Sequence, residues 1–252
     1  MLITGILTPR SIATAVAEQA IQNGARVLAT SFGRAKSTTA RTLRSLGGDI
    51  ELLDYDAADP DGAQALAAEL ALRTPVLHGL LHAIAYAPPD ALGDNLGNAS
   101  NASIATTLQI SASSLAFLVA ALEPALAAAR ASGGASVVGL TFAPNRVWPG
   151  YGWMGVAKGA LESITQSLAV QHGPSLIRVN LVDAGPLRTA AARSIPGSQL
   201  AFANWATRSP LGWDENNASA IAEACVVLLS GALSKTTGTT LIVDGGAHLV
   251  GN

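Results

Sequence analysis

The stretch "YGWMGVAK", Tyr151 to Lys158, decides how this chain is read. It follows "FAPNRVWPG", whose prolines and glycine keep that run out of a helix, and it sets a phenol and an ammonium seven positions apart. Seven residues are close to two turns of an α-helix, so the two side chains leave from nearly one face. "ASVVGLTF" before the stretch is a continuous apolar strand, and "IRVNLVD" further on is another. A helix from Tyr151 to about His172 between two such strands is the crossover of a parallel pair.

The same alternation runs along the whole chain. "MLITG", "ARVLATS", "DIELLDY", "VLHGLLHAIA" and "TTLIVDGG" read as further strands. Between them lie "SIATAVAEQAIQNG", with Ser11 placed to cap it and Gly24 to close it, then "KSTTARTLRSLGG" and "PDGAQALAAELALR". An Ala-rich helix over roughly 102–131 and "NASAIAEACVVLLSG" complete the set. This pattern predicts an α/β fold: a single doubly wound Rossmann domain over residues 1–252, with a parallel sheet of about seven strands and helices on both faces. No internal repeat, low-complexity tract or linker divides it.

Composition narrows the function. The chain has 252 residues, 49% of them hydrophobic and 13% charged, with a formal net charge of -2 and no basic block, which argues against a nucleic-acid partner. Cys225 is the only cysteine, and "AIAEACVVLLS" reads as a buried helix face, so an inert core thiol is expected, with no disulfide and no metal site. "MLITG" lacks the cationic-then-apolar order of a signal peptide, and the longest apolar stretch read from the sequence, "VLHGLLHAIAYA", is too short to span a bilayer. A soluble, cytoplasmic protein with no membrane partner is the expectation.

In a doubly wound sheet, ligands bind beyond the carboxyl ends of the strands. The first strand runs into "GILTPRSIA", where Gly5 lets a phosphate approach the backbone and the helix start at Ser11-Ile12-Ala13 offers free N–H groups. This is not G-x-G-x-x-G, and an ordinary strand–turn–helix fits it equally well. Asp56 and Ala57, after the third strand, stand where an adenine ring would lie, or Asp56 caps the helix near Pro60. In "DAGPLRT", Gly185-Pro186 makes a turn that is either plain or a ligand contact, with the Thr189 hydroxyl in reach of a phosphate. Tyr151 and Lys158 lie beside the same crevice. A lysine there binds ribose hydroxyls and lowers the effective pKa of a nearby phenol, which hydrogen-bonds an oxygen gaining negative charge. A half-buried tyrosine and a solvated lysine are the bland alternative, and the turns at successive strand ends tip the balance against it.

These motifs together resemble the short-chain dehydrogenase/reductases, and within them the bacterial enoyl-acyl-carrier-protein reductases, over nearly the entire chain. Gly5 with Ser11-Ile12-Ala13 resembles that family's variant glycine motif, and "HAIAYAP", His82 to Pro88, its fourth-strand signature. "FAPNRVWPGYGWMGVAK" resembles its catalytic segment, and "RVNLVDAGPLRT" and "TTGTTLIVDGGAH" complete the likeness. It is nearest the mycolate-pathway, isoniazid-target branch, since Phe142 and Tyr151 stand where other members carry two tyrosines. Ordinary carbonyl-reducing members carry Lys four residues after the tyrosine and Ser thirteen before it. Gly155 and Val138 occupy those places here, against ketone reduction.

The resemblance implies a function: NADH-dependent reduction of the trans-2 double bond of enoyl thioesters, of acyl carrier protein or coenzyme A, in type II fatty acid biosynthesis. Tyr151 would stabilise the enolate charge on the thioester oxygen, Lys158 would hold the nicotinamide ribose, and Phe142 would shape the acyl pocket. Cofactor contacts would come from Gly5, Ser11, Ile12, Phe32, Asp56, Ala57, Ala83, Ile84, Ala85, Ile110, Lys158, Ala184, Gly185, Pro186, Leu187 and Thr189. Substrate contacts would come from Tyr86, Tyr151, Met154, Ile195, Leu200 and Phe202, partly on a flap over about 189–213. A homotetramer is implied as well.

The chain departs from the family where Ala83 replaces the usual Ser and Ala85 a common Gly, and where Gly33 in "SFGR" replaces an acid. That last change leaves Arg34 to meet a 2′-phosphate, so NADPH is the alternative cofactor. The flap lacks the extra stretch of the long-chain branch, which points to short or medium acyl chains. Two other readings fit: a paralogous NAD(P)H-dependent alkene or carbonyl reductase of a secondary pathway, and a catalytically silent nucleotide-binding protein.

Overall fold

A computed structural model describes residues 1–47, 50–143, 145–197 and 205–250. The chain runs β1 (Leu2–Ile3), α1 (Ile12–Gln22), β2 (Leu28–Ser31), α2 (Ala35–Leu46), β3 (Glu51–Asp54), α3 (Gly62–Ala71) and β4 (Gly79–His82). It continues with α4 (Asn101–Leu108), α5 (Ser114–Ala127), β5 (Ala135–Thr141), α6 (Gly152–His172), β6 (Ile177–Ala184), α7 (Ala190–Arg193), α8 (Ser219–Leu229) and β7 (Thr240–Val243). The seven strands form one sheet in the order β3-β2-β1-β4-β5-β6-β7, and every neighbouring pair is parallel. The strand order reverses between β1 and β4, which puts the crevice for a ligand beyond their carboxyl ends.

The continuous apolar strands are explained by burial on both faces. Leu66, Leu115, Leu118, Leu122 and Leu161, from α3, α5 and α6, fill one side of the sheet. Val16, Ala20, Ile221, Cys225 and Leu228, from α1 and α8, fill the other. Cys225 is fully buried as expected, and burial pushes its thiol up to about 12.

The long Ala-rich helix departs from expectation. A π-helical turn, Gln109–Ser113, separates α4 from α5, and Pro124 lies inside α5. The extra residue of that turn brings two hydroxyls onto the end of β4. Ser111 Oγ accepts from Tyr86 N and donates to Tyr86 O, each at 2.9 Å, while Ser114 Oγ bonds His82 Nε2 at 2.8 Å. The helical run Asn101–Ser132 is also long and apolar enough to cross a membrane by length and composition, so "VLHGLLHAIAYA" is not the longest apolar segment. Half of its most apolar window is buried in this fold, with Leu115, Leu118, Val119, Leu122 and Leu126 in the core.

Candidate active site

The first turn is built around Gly5. Its φ is +80°, and a Cβ there would stand 2.1 Å from the Ala83 carbonyl oxygen, so only glycine fits between the ends of β1 and β4. Hydroxyls staple this turn to its surroundings. Thr4 Oγ1 donates to Leu81 O and accepts from Ala83 N, both at 3.0 Å. Thr39 and Thr42, on α2, donate to the carbonyls of Ile6 and Leu7. Ser11 is in place as N-cap, yet its Oγ accepts from Thr8 N at 3.0 Å rather than capping α1. The Ile12 and Ala13 amides at the start of α1 therefore have no partner among the described residues, as an anion site requires.

At the end of β3, Asp56 does not cap the following helix, because α3 begins only at Gly62. Its Oδ1 accepts from Ala58 N at 2.9 Å, closing a turn that sets Ala57 beside the crevice. Phe32 is 46% exposed and Tyr86 51% exposed, both available to a ligand. Ala83 and Ile84 are half-buried, Ala85 is exposed, and Ile110 lies on the π-helical turn.

After β6, Ala184, which ends that strand, and Gly185, Pro186 and Leu187 after it are buried. Gly185 still pairs with β7, donating to Val243 O at 2.8 Å, and its missing Cβ makes room for the Trp213 ring, which one would approach to 2.6 Å. The Thr189 hydroxyl caps α7 by accepting from Ala192 N at 3.2 Å, a competing use to the phosphate contact expected of it.

The face on which Tyr151 and Lys158 meet lies beside β5. Tyr151 is the N-cap residue of α6 and 7% exposed; Lys158 is 6% exposed. Lys158 Nζ donates to Leu140 O on β5 at 2.8 Å. Burial lowers its ammonium to about 8, with Asp183 acting in the opposite sense. Burial raises the Tyr151 phenol, and Asp183 raises it further. Tyr151 Oη has no hydrogen-bond partner among the described residues. Below them His82 is fully buried, and burial, then the Lys158 charge, depress its imidazole to about 3. Since Ser114 Oγ gives its hydrogen to Ile110 O, it accepts from His82 Nε2, and His82 Nδ1 is left without a partner.

Aromatic rings close the site. Phe142 lies edge-on to Tyr151 with centroids 5.7 Å apart, 5.1 Å from Trp148 and 5.9 Å from Trp205. Trp148 was not read from the sequence as a site residue. Trp205 is fixed by its indole N–H to Asp244 O at 3.1 Å, which ties this leg of the expected flap to the end of β7. Arg188 pairs with Glu215 across the flap's other side. Met154 is buried next to Tyr151, and Ile195 is half-buried beyond α7. Leu200 and Phe202 lie outside the described residues.

This arrangement fits a nicotinamide cofactor: a glycine cradle after β1, a bare N-terminus on α1, and on α6 a buried lysine and a phenol whose hydroxyl has no hydrogen-bond partner among the described residues. Sequence comparison agrees. The family model described as Enoyl-(Acyl carrier protein) reductase matches residues 5–248. The enoyl-[acyl-carrier-protein] reductase [NADH] of Mycolicibacterium smegmatis is 34% identical, covering 98% of this chain and 95% of that protein. The protein of the same name from Mycobacterium avium is 34% identical with the same coverage, and that of Bacillus subtilis is 28% identical over 99% of this chain and 95% of its own length. The chain belongs to the enoyl-acyl-carrier-protein reductase family.

Proposed function

We propose that this protein reduces the trans-2 double bond of enoyl thioesters with NADH, as an enoyl-acyl-carrier-protein reductase of fatty acid synthesis. The observation that carries the reading is the pair of buried residues on α6, Lys158 bonded to Leu140 O of β5 and Tyr151 with a hydroxyl that no described residue hydrogen-bonds. NADH, when bound, supplies the hydride equivalent that reduces the alkene. Lys158, cationic below about pH 8, holds the ribose hydroxyls. Tyr151, kept protonated by burial and by Asp183, donates to the thioester oxygen as negative charge gathers there. Phe142, Trp148 and Trp205 make an apolar wall that excludes water from the reacting carbons.

The Ile12 and Ala13 amides take the pyrophosphate, with Gly5 giving it room and Gly185 to Leu187 lining the nicotinamide end. Asp56, Ala57, Phe32 and Ile110 border the adenine, and Tyr86, Met154 and Ile195 border the acyl chain. The chain acts as one reductase domain over 1–252 with the flap at 189–213, in the cytoplasm and as a homotetramer. Leu241 and Ile242 on the edge strand β7, and Leu249 and Val250 after it, are exposed, which supports a subunit contact on that side. Mixing the protein with trans-2-butenoyl thioesters of coenzyme A and of acyl carrier protein, and following NADH and NADPH oxidation in parallel, tests the reading. Oxidation of NADH in preference to NADPH is expected. No oxidation of either with any enoyl thioester rejects it.

A further inference from the structure

Asp183 lies one residue from the end of β6, in register with Thr141 at the end of β5. Just past Thr141 the chain leaves the sheet at Phe142, and Ala143 then takes a φ of +32°, a left-handed conformation that a residue with a Cβ avoids. That turn is held from the neighbouring strand: Asp183 Oδ1 accepts from Ala143 N at 2.7 Å. The same carboxylate interacts electrostatically with Lys158 and Tyr151. The other charged groups felt at this position are Glu162, on α6, and Asp244 and His248 after β7, which bond each other.

We propose that Asp183 is a positioning residue for this site, a single carboxylate that locks the Phe142–Ala143 turn through the Ala143 amide and sets negative charge against Lys158 and Tyr151. The proposal rests on the roles given to those two residues above. Its first action holds the Phe142 ring against Tyr151, where the acyl chain would pass. Its second opposes the burial of Lys158, which lowers that ammonium to about 8 even with Asp183 present. Without the charge, Lys158 loses its proton closer to neutrality. On Tyr151 the charge works with burial, keeping the phenol a hydrogen-bond donor.

Two variants separate the actions. Asp183→Asn keeps an acceptor for Ala143 N and removes the charge; Asp183→Glu keeps the charge and displaces the acceptor. NADH affinity is measured by fluorescence titration from pH 6 to 10, where the wild type should weaken as pH rises through about 8, the Lys158 value. In Asp183→Asn that limb should move about 1 unit lower, with KM for the enoyl thioester little changed. In Asp183→Glu the limb should stay near the wild-type position while KM rises. A limb for Asp183→Asn that superimposes on the wild type overturns the proposal. So does a limb for Asp183→Glu shifted down with unchanged KM, which still decides the matter if the Asn variant does not fold. If NADH binds with the shifted limb but no enoyl thioester is reduced, the reductase reading falls, and with it the action of Asp183 through Phe142, while its action on Lys158 stands. If NADH binds at no pH, both fall.

Discussion

Around Gly5, in the turn after β1, polar side chains are spoken for: Thr4, Thr39 and Thr42 each give a hydroxyl hydrogen to a backbone carbonyl. Around Tyr151, at the ends of β4 and β5, they are not: His82 Nδ1, Thr141 Oγ1 and Trp148 Nε1 are buried without a partner among the described residues. An orphaned buried polar atom costs about 1–3 kcal/mol. The first half of the crevice is thus fixed by bonds that serve the fold. The second carries that cost where Lys158 and Tyr151 are also desolvated, although Thr165, His172 and Arg208 carry orphaned atoms elsewhere. Rigidity belongs to the half that would hold phosphates, and polarity held away from water belongs to the half that would do chemistry.

The largest expected effect tests the second half. Tyr151→Phe should lower turnover by about 10–1000-fold, the range for losing one oxyanion donor, with NADH affinity nearly unchanged. Stopped-flow reduction of an enoyl thioester beside an NADH titration reads both numbers, and full turnover in the variant would abolish the distinction between the halves. Lys158→Ala should weaken NADH binding by about 10–100-fold, the loss of hydrogen bonds from a charged donor. Binding as tight as in the wild type would remove the ribose from Lys158.

The first half should fail differently. Gly5→Ala forces a Cβ to within 2.1 Å of Ala83 O at a φ of +80°, and should cost at least about 2 kcal/mol of stability. Thermal unfolding without ligand should show the loss, whereas Tyr151→Phe should melt close to the wild type. A Gly5→Ala protein as stable as its parent would mean that this turn is less constrained than its contacts indicate. The smallest effect concerns the flap. Each buried methylene contributes about 0.8 kcal/mol, so a crevice with a short flap gains little from long chains. Short and medium enoyl thioesters should be reduced at least as efficiently as those of roughly sixteen carbons or more, a threshold taken from that increment. A steady rise in kcat/KM through the longest chains would show that something other than the flap completes the crevice, such as the loop after Tyr86.

Much of this was legible in the sequence, for identifiable reasons. Parallel strands buried on both faces must be continuously apolar, so β4, β5 and β6 announced themselves. The spacing of Tyr151 and Lys158 is a local property of one helix and survived folding intact. What escaped depends on contacts distant in sequence. Asp183 looks like no more than the end of the strand "IRVNLVD", and its partner Ala143 lies on another strand's exit. Trp148 sits in an aperiodic loop, although tryptophan in a chain with 4% aromatic residues was itself a signal. Ser11 and Thr189 were read as free hydroxyls or caps in the abstract. Which amide each one finds, Thr8 or Ala192, is settled by the path of the loop.

The π-helical turn at Gln109–Ser113 has a consequence for how this chain tolerates length changes. A π turn is an α-helix carrying one residue too many, and each residue of an α-helix rotates its successors by about 100°. Deleting one residue between Gln109 and Ser113 would heal the helix and swing Asn101–Leu108 around its axis by that angle relative to α5. Ser111 would then lose its double hold on Tyr86, freeing the start of the loop that bridges to the Tyr151 backbone at Gly93. The deletion would make a better helix and a worse crevice, so at this point the chain keeps a local irregularity that a count of helical hydrogen bonds would score as a flaw.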